Sequence, residues 1–311
     1  MIMGFIDQMR AEGHAVESVC RVLRQEGCQI AARTYRAWRH RSASARDTSD
    51  AVLLNVLHDL VGTPEGLYGR RKMTAWLRRQ GHQVGAGRVD RLMRVAGMNG
   101  VRRGRPVRTT IPAKDGHRAG DLLNRDFTAA APNTKWVADF TYVRTWAGFV
   151  YVAFVLDCYS QKVVAWHAAT SKTTPLVLTP LRIALWERDR AGHPVQPGEL
   201  IAHSDAGSQY TSLRFAEHLA AEGIAASIGT VADAYDNALM ECVIGLYKTE
   251  CITTTIFHDS PYKTIADVEY ATAGWVEWYN NRRLHSSLAM TTPAEYETAY
   301  YANLNRELAP A

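Results

Sequence analysis

Three acidic residues stand where an acid needs a physical reason. Asp139 interrupts the apolar run Trp136-Val137-Ala138-Asp139-Phe140-Thr141-Tyr142. Aspartate is disfavoured in mid-strand. On a face shared with Val137 and Thr141 it is costly to bury unless paired or bound to a cation. Asp205 ends another short run, in His203-Ser204-Asp205-Ala206-Gly207-Ser208-Gln209-Tyr210, at the kind of strand end where open α/β sheets place ligands. Glu241 has apolar neighbours in Asp236-Asn237-Ala238-Leu239-Met240-Glu241, an arrangement expected to turn it towards a sheet. Each alone has a plainer reading: a hydrogen-bonded strand aspartate, a turn former, a surface glutamate. Asp157 rivals Asp139, but Asp157-Cys158-Tyr159-Ser160 ends its run and reads as a turn. Together the three acids suit phosphoryl transfer assisted by two divalent cations about 4 Å apart. Mg²⁺ or Mn²⁺ prefers carboxylate oxygen and keeps several waters, so few protein ligands are needed.

The elements that must position these acids follow from periodicity. Strand-like runs are expected at 135–143, 149–157 and 162–169, joined by connections short enough for hairpins. A helix follows at 174–190, with Pro180 inside it and a start at Pro180 left open. Then come a strand at 200–203, a helix at 213–222, a strand at 224–228, and helices at 235–250 and 265–281. The order β-β-β-α-β-α-β-α is that of an α/β sheet domain and fits several folds. Ahead of it, residues 1–46 show helical spacing broken at Gly13 and Gly27, with Arg33 and Arg36 in the second stretch. A polar segment at 42–50 reads as a linker. Residues 50–105 outline three helices, the last carrying Arg88 and Arg91 off its apolar face. Two helices joined by a Gly-containing turn suggest a helix-turn-helix; a small bundle with a solvated basic surface is the alternative. A proline-bearing linker at 106–132, a catalytic domain at 133–300 and a tail at 301–311 complete the expected organisation.

Charge supports this division. Residues 1–120 hold 22 Lys and Arg against 10 Asp and Glu, whereas residues 121–311 hold 14 against 21. A basic front half suits a polyanion, because neutralised phosphates release counterions. The five scattered cysteines lack metal-ligand or paired spacing and read as reduced thiols. No run approaches the roughly 20 apolar residues of a membrane span, and no secretory leader is evident. A cytoplasmic, nucleoid-associated protein is therefore expected.

The strings WVADFTYV (136–143), HSDAGSQY (203–210), DNALMECVIGLYKTE (236–250) and WVEWYNNRRLHSSLAMTTPAEY (275–296) resemble those of the IS-three family of insertion-sequence transposases, in its second-reading-frame product. The catalytic core of that family is similar to retroviral integrases. The 35 residues between Asp205 and Glu241 match the spacing by which this group is known. The resemblance spans about residues 50–300, including Tyr68-Gly69-Arg70-Arg71-Lys72 in the family's helix-turn-helix unit. It implies an RNase H-like, integrase-type mixed sheet with flanking helices, preceded by helical DNA-binding units. It implies that Asp139, Asp205 and Glu241 bind two Mg²⁺ or Mn²⁺ ions. Lys248, two helical turns after Glu241, would meet DNA near the scissile phosphate. His203, Gln209, Tyr210 and Asn237 would support the acids or touch substrate. Arg33, Arg36, Arg70, Arg71, Lys72, Arg88, Arg91, Arg282 and Arg283 are candidate DNA contacts; capping of the last helix is the alternative for Arg282 and Arg283. The implied substrates are the element's terminal inverted repeats and target DNA, with a homo-oligomer forming on them. The chain lacks a sustained leucine heptad, a feature of the family's first-reading-frame product, which is an expected partner. A catalytically silent DNA-binding regulator and a nuclease without strand transfer are the competing functions. Two departures are local: Ala289 stands where glycine is common, and Val243-Ile244-Gly245 replaces an aromatic-rich stretch.

Overall fold

The computed structural model describes residues 2–102, 122–123, 126–205, 207–229, 237–259 and 261–308. Most of the linker expected at 106–132 lies outside the described residues, as does the start of the helix expected at 235. The chain divides into two compact units, Met1–Val56 and Leu57–Ala311.

In the first unit, α1 (Ile2–Ala11), α2 (Val16–Gln25) and α3 (Ala32–His40) bury Ile6, Val19, Cys20, Ile30 and Tyr35 against one another. The linker expected at 42–50 is corrected: α4 (Ala45–Asp59) begins inside it. Ser44 Oγ accepts from Asp47 N, and an Asp47 carboxylate oxygen accepts from Ser44 N. This reciprocal cap starts a helix in a segment whose polarity imitates a loop.

In the second unit, α5 (Arg70–Arg79) and α6 (Ala86–Val95) bury Met73, Leu77, Val89, Leu92 and Met93. Between them Gly81 takes φ +88°, a left-handed turn that glycine makes without a Cβ clash. The sheet beyond contains β1 (Lys135–Thr145), β2 (Gly148–Asp157), β3 (Val163–Ala169), β4 (Ile201–Ser204) and β5 (Ala225–Ile228). Its order is β3-β2-β1-β4-β5. The first three strands pair antiparallel, and β4 and β5 continue parallel to β1.

Alternation along β1 decides what each face buries. Trp136, Ala138 and Phe140 join a core with residues of α7 (Thr174–Arg190) and α8 (Leu213–Ala221), among them Leu181 and Phe215. Val137, Asp139 and Thr141 face the other way. Asp139's cross-strand partner Phe154 meets Tyr247 and Trp275 at ring distances of 5.0 and 6.0 Å. Those rings come from a π-helical segment, Tyr247–Ile252, which follows α9 (Ala238–Leu246), and from α10 (Ile265–Asn281). The single helix expected through residue 250 therefore changes winding at Tyr247. α7 begins at Thr174 with proline in its first turn, so Pro180 is interior and not the start. The tail expected from residue 301 is helix as well: α11 spans Pro293–Leu308. Its Glu297 forms a buried ion pair with Arg188 of α7. All five cysteines are free. No described helix is long and apolar enough to cross a membrane.

Candidate active site

The parallel register of β1 and β4 brings the first two acids together. Pairing runs from Lys135 opposite Ile201 to Ala138 opposite Ser204, so the next residues along the two strands are Asp139 and Asp205. Glu241 arrives on α9, which packs against β1. The start of that helix is tied beside Asp139: Asn237 Nδ2 donates to Ala138 O at 3.3 Å. Glu241 N in turn donates to Asn237 O at 3.0 Å.

The acids share one electrostatic neighbourhood. Asp139 is half-buried, and its Oδ1 accepts from Phe140 N at 2.7 Å. Burial first, and then the charges of Asp205 and Glu241, push its carboxyl up to about 8, while Phe140 N–H and Lys248 act in the opposite direction. Such a shift marks acids that repel each other in a poorly solvated place. Lys248 is held below the usual lysine range by desolvation, against the pull of Asp139. Its ammonium lies 5.1 Å from the centre of the Tyr142 ring. Among the described residues, the buried Tyr210 hydroxyl and Asn237 Oδ1 have no hydrogen-bond partner. Burial, then Asp139 and Asp205, raise the ionisation of Tyr210 well above the ordinary phenol value.

No three His, Cys, Asp or Glu side chains among the described residues are gathered tightly enough to hold an ion between them. The triad is an open cluster with a common field, not a closed cage. The donor set is all carboxylate oxygen, which suits hard divalent cations. Two unsatisfied buried polar atoms, each costing about 1–3 kcal/mol, stand beside it. The residues therefore fit a hydrated Mg²⁺ or Mn²⁺ by chemistry.

The remaining expected residues divide. His203 Nδ1 meets Ser227 Oγ at 2.8 Å, and its ring packs edge-on to Phe127. Gln209 Nε2 donates to Lys172 O at 3.0 Å. Arg33, Arg36, Arg70, Arg71 and Arg91 are exposed and Arg88 is half-buried; Arg36 pairs with Glu17. Arg282 is exposed between Glu65 and Glu277, at 3.8 and 3.7 Å. Of the residues expected at DNA, Arg283 turns inward and Lys72 is half-buried. Arg283 is 4% exposed, and its Nε and Nη2 donate to both oxygens of Glu250, at 2.6–3.2 Å. Lys72 lies over the Tyr68 ring at 5.7 Å, and burial followed by the charge of Arg283 lowers it to about 7. Arg283 is occupied by its ion pair, whereas Lys72 keeps part of its side chain at the surface. Sequence reading overlooked Tyr142 as a neighbour of Lys248. The density of rings in Asp139-Phe140-Thr141-Tyr142-Val143-Arg144-Thr145-Trp146-Ala147-Gly148-Phe149 was its available signal.

A mixed five-stranded sheet of this order, with one acid inside its middle strand, a second just past the neighbouring β4 and a third on the helix after β5, is that of the RNase H-like, integrase-type polynucleotidyl transferases. The integrase core domain family matches residues 129–234, a second family of the same description matches 222–293, and an HTH-like domain matches 52–106. The transposase for insertion sequence element IS629 of Shigella sonnei is 42% identical over 98% of this chain and 99% of its own length. The transposase for insertion sequence element IS904 of Lactococcus lactis is 31% identical over 83% and 98%. Among solved structures, the HTLV-2 integrase catalytic core domain in complex with magnesium overlays with a TM-score of 0.40 and 16% identity, covering 54% of this chain and 98% of that one. The chain belongs to the insertion-sequence transposases of the IS-three type.

Proposed function

We propose that this transposase cuts DNA at the terminal inverted repeats of its element and joins the freed 3′-hydroxyl to target DNA, with Asp139, Asp205 and Glu241 holding two Mg²⁺ or Mn²⁺ ions. The observation that carries the reading is the strand register, which pairs Ala138 with Ser204 and so supports Asp139 and Asp205 as neighbours, together with the bond from the helix of Glu241 to Ala138. Bound ions would stabilise the attacking and leaving oxygens of an in-line displacement. The chain's own groups position the DNA. Lys248 neutralises a phosphate near the cut, and the Tyr210 hydroxyl donates a hydrogen bond into the site. Asn237 keeps α9 registered on β1. In the first reaction water breaks a phosphodiester and leaves a 3′-hydroxyl. In the second, that hydroxyl attacks a target phosphodiester; one P–O bond forms as another breaks, so no external energy source is needed.

Arg33, Arg70, Arg71, Arg88 and Arg91 supply phosphate contacts from the helical units. Pairing two element ends calls for a homo-oligomer on DNA, and a first-reading-frame product is a proposed partner. The setting is the bacterial cytoplasm, at the nucleoid. Labelled terminal-repeat DNA incubated with the protein and Mn²⁺ tests the reading: joined products are expected. Cuts without joining indicate a nuclease, and a shifted band without strand breaks indicates a silent binding protein. Asp205→Asn should lower joining by at least about 10³-fold, using the scale of lost electrostatic stabilisation, while DNA binding persists. Joining that survives the substitution removes Asp205 from the site.

A further inference from the structure

We propose that the tip of the β1–β2 hairpin is a stacking surface for unpaired DNA bases flanking the cut phosphodiester. The inference rests on the transposition chemistry above and adds how the strand beside the cut is held.

Tyr142, Phe149 and Trp146 are 45%, 51% and 73% exposed. Three large rings left in solvent on one hairpin mark an interaction surface. Tyr142 and Phe149 meet edge to face at 5.3 Å. The hairpin is not loose: Trp146 N donates to Tyr262 O and Ala147 N to Lys263 O, both at 3.0 Å. Thr145 Oγ1 donates to Gly148 O at 2.8 Å. These bonds hold the rings on a fixed platform.

Two observations select nucleic acid as the occupant. The first is charge. Lys248 sits over Tyr142, and Lys263 lies 5.6 Å from the Trp146 ring; Arg144 is exposed between Tyr142 and Trp146 in sequence. Rings interleaved with cations match bases interleaved with phosphates, and stacking accepts any base because each has a π face. The second is continuity with the acids. Tyr142 stands three residues beyond Asp139 on β1, about 10 Å at strand rise and on the alternate face of the strand, an interval of about three stacked base steps. Lys248 bridges the interval, being electrostatically coupled to Asp139 while contacting Tyr142. A paired duplex presents phosphates and base edges, not base faces, so the bases received here are unpaired.

The test uses full-length Asp205→Asn protein, which needs only to bind. Terminal-repeat duplexes carry 5-iodouracil at successive positions around the cut, and irradiation links the base to a ring stacked on it. Crosslinks to Tyr142, Trp146 or Phe149 are expected from bases within about three steps of the cut, and none from distal bases. Adding Trp146→Leu and Phe149→Leu should reduce crosslinking, and affinity for a short single-stranded oligonucleotide, at least about tenfold, with an unchanged melting temperature. Crosslinks mapping elsewhere overturn the proposal. So do Leu variants with undiminished crosslinking, or variants altered only in self-association, which assign the rings to a protein partner. Failure of the wild-type chain to cut the same DNA with Mn²⁺ is a separate result, counting against the transposition chemistry.

Discussion

Asp139 carries an electrostatic cost that its neighbours impose. Its folded-state carboxyl titrates at about 8 against an ordinary value of 3.8. The folded chain thus binds this proton more tightly than the unfolded chain does. The stability this confers is complete below about pH 4 and is lost as pH rises to about 8. Asp139→Asn removes the titration. Without added divalent ions, the variant should gain on the wild type from pH 4 to pH 8, reaching about 2 kcal/mol after discounting for partial exposure, and then level off. Thermal melts across that range check this; a difference independent of pH contradicts it. At this scale the acids were legible because each breaks a local pattern: a charge in a strand, at a strand end, among apolar helix neighbours. The fate of Arg283 and Lys72 was not legible. Nothing in their local sequence separates a buried cation from a solvated one, since the partner Glu250 is 33 residues from Arg283. Ala289 is an intermediate case. Its φ of +52° is the left-handed conformation that explains why glycine is expected there.

The turn of helix after Glu241 shows how elements hold the site. The π-helical segment that carries Lys248 is pinned by Glu250, which accepts from Arg283 and, at 3.4 Å, from Trp275 Nε1. Tyr247 pins it again through its hydroxyl, 2.7 Å from Thr272 Oγ1. Arg283→Ala leaves a buried carboxylate without its counter-ion and should cost about 3–5 kcal/mol in urea unfolding. Arg283→Lys should recover little of that, lacking the fork that spans both oxygens. Arg282→Ala, at the surface, should change stability by less than about 1 kcal/mol. Equal losses at both positions contradict the structural assignment of Arg283. Strands and most helices were readable because period 2 and period 3.6 reflect which face is buried. α11 was not. Its inward face is anchored by Glu297 reaching Arg188 across 109 residues, a contact that leaves no periodic trace. The π winding escaped for the same reason, its anchors being side chains on α10 and just beyond it.

For the whole molecule, the excess of positive charge in residues 1–120 predicts binding dominated by phosphates. Replacing Arg70, Arg71 and Arg91 by Ala should flatten the slope of log affinity against log salt by up to about 2.7, at roughly 0.9 per lost contact on B-DNA. Fluorescence anisotropy over a salt series measures it; an unaltered slope removes these residues from the DNA surface. Domain order was visible from composition, but the seating of the helix-turn-helix-like helices was not. Tyr68 hydroxyl donates to Arg282 O at 3.2 Å and accepts from Leu284 N at 3.0 Å, and Trp278 Nε1 donates to Glu65 Oε1 at 3.1 Å. These polar contacts join segments more than 200 residues apart. The proposed chemistry requires this scaffold to bring the three acids to one metal site. Anomalous diffraction from crystals grown with Mn²⁺ tests it most directly. Manganese should be found coordinated by Asp139, Asp205 and Glu241; manganese bound elsewhere, with the three carboxylates unliganded at saturation, contradicts a metal-dependent strand-transfer site.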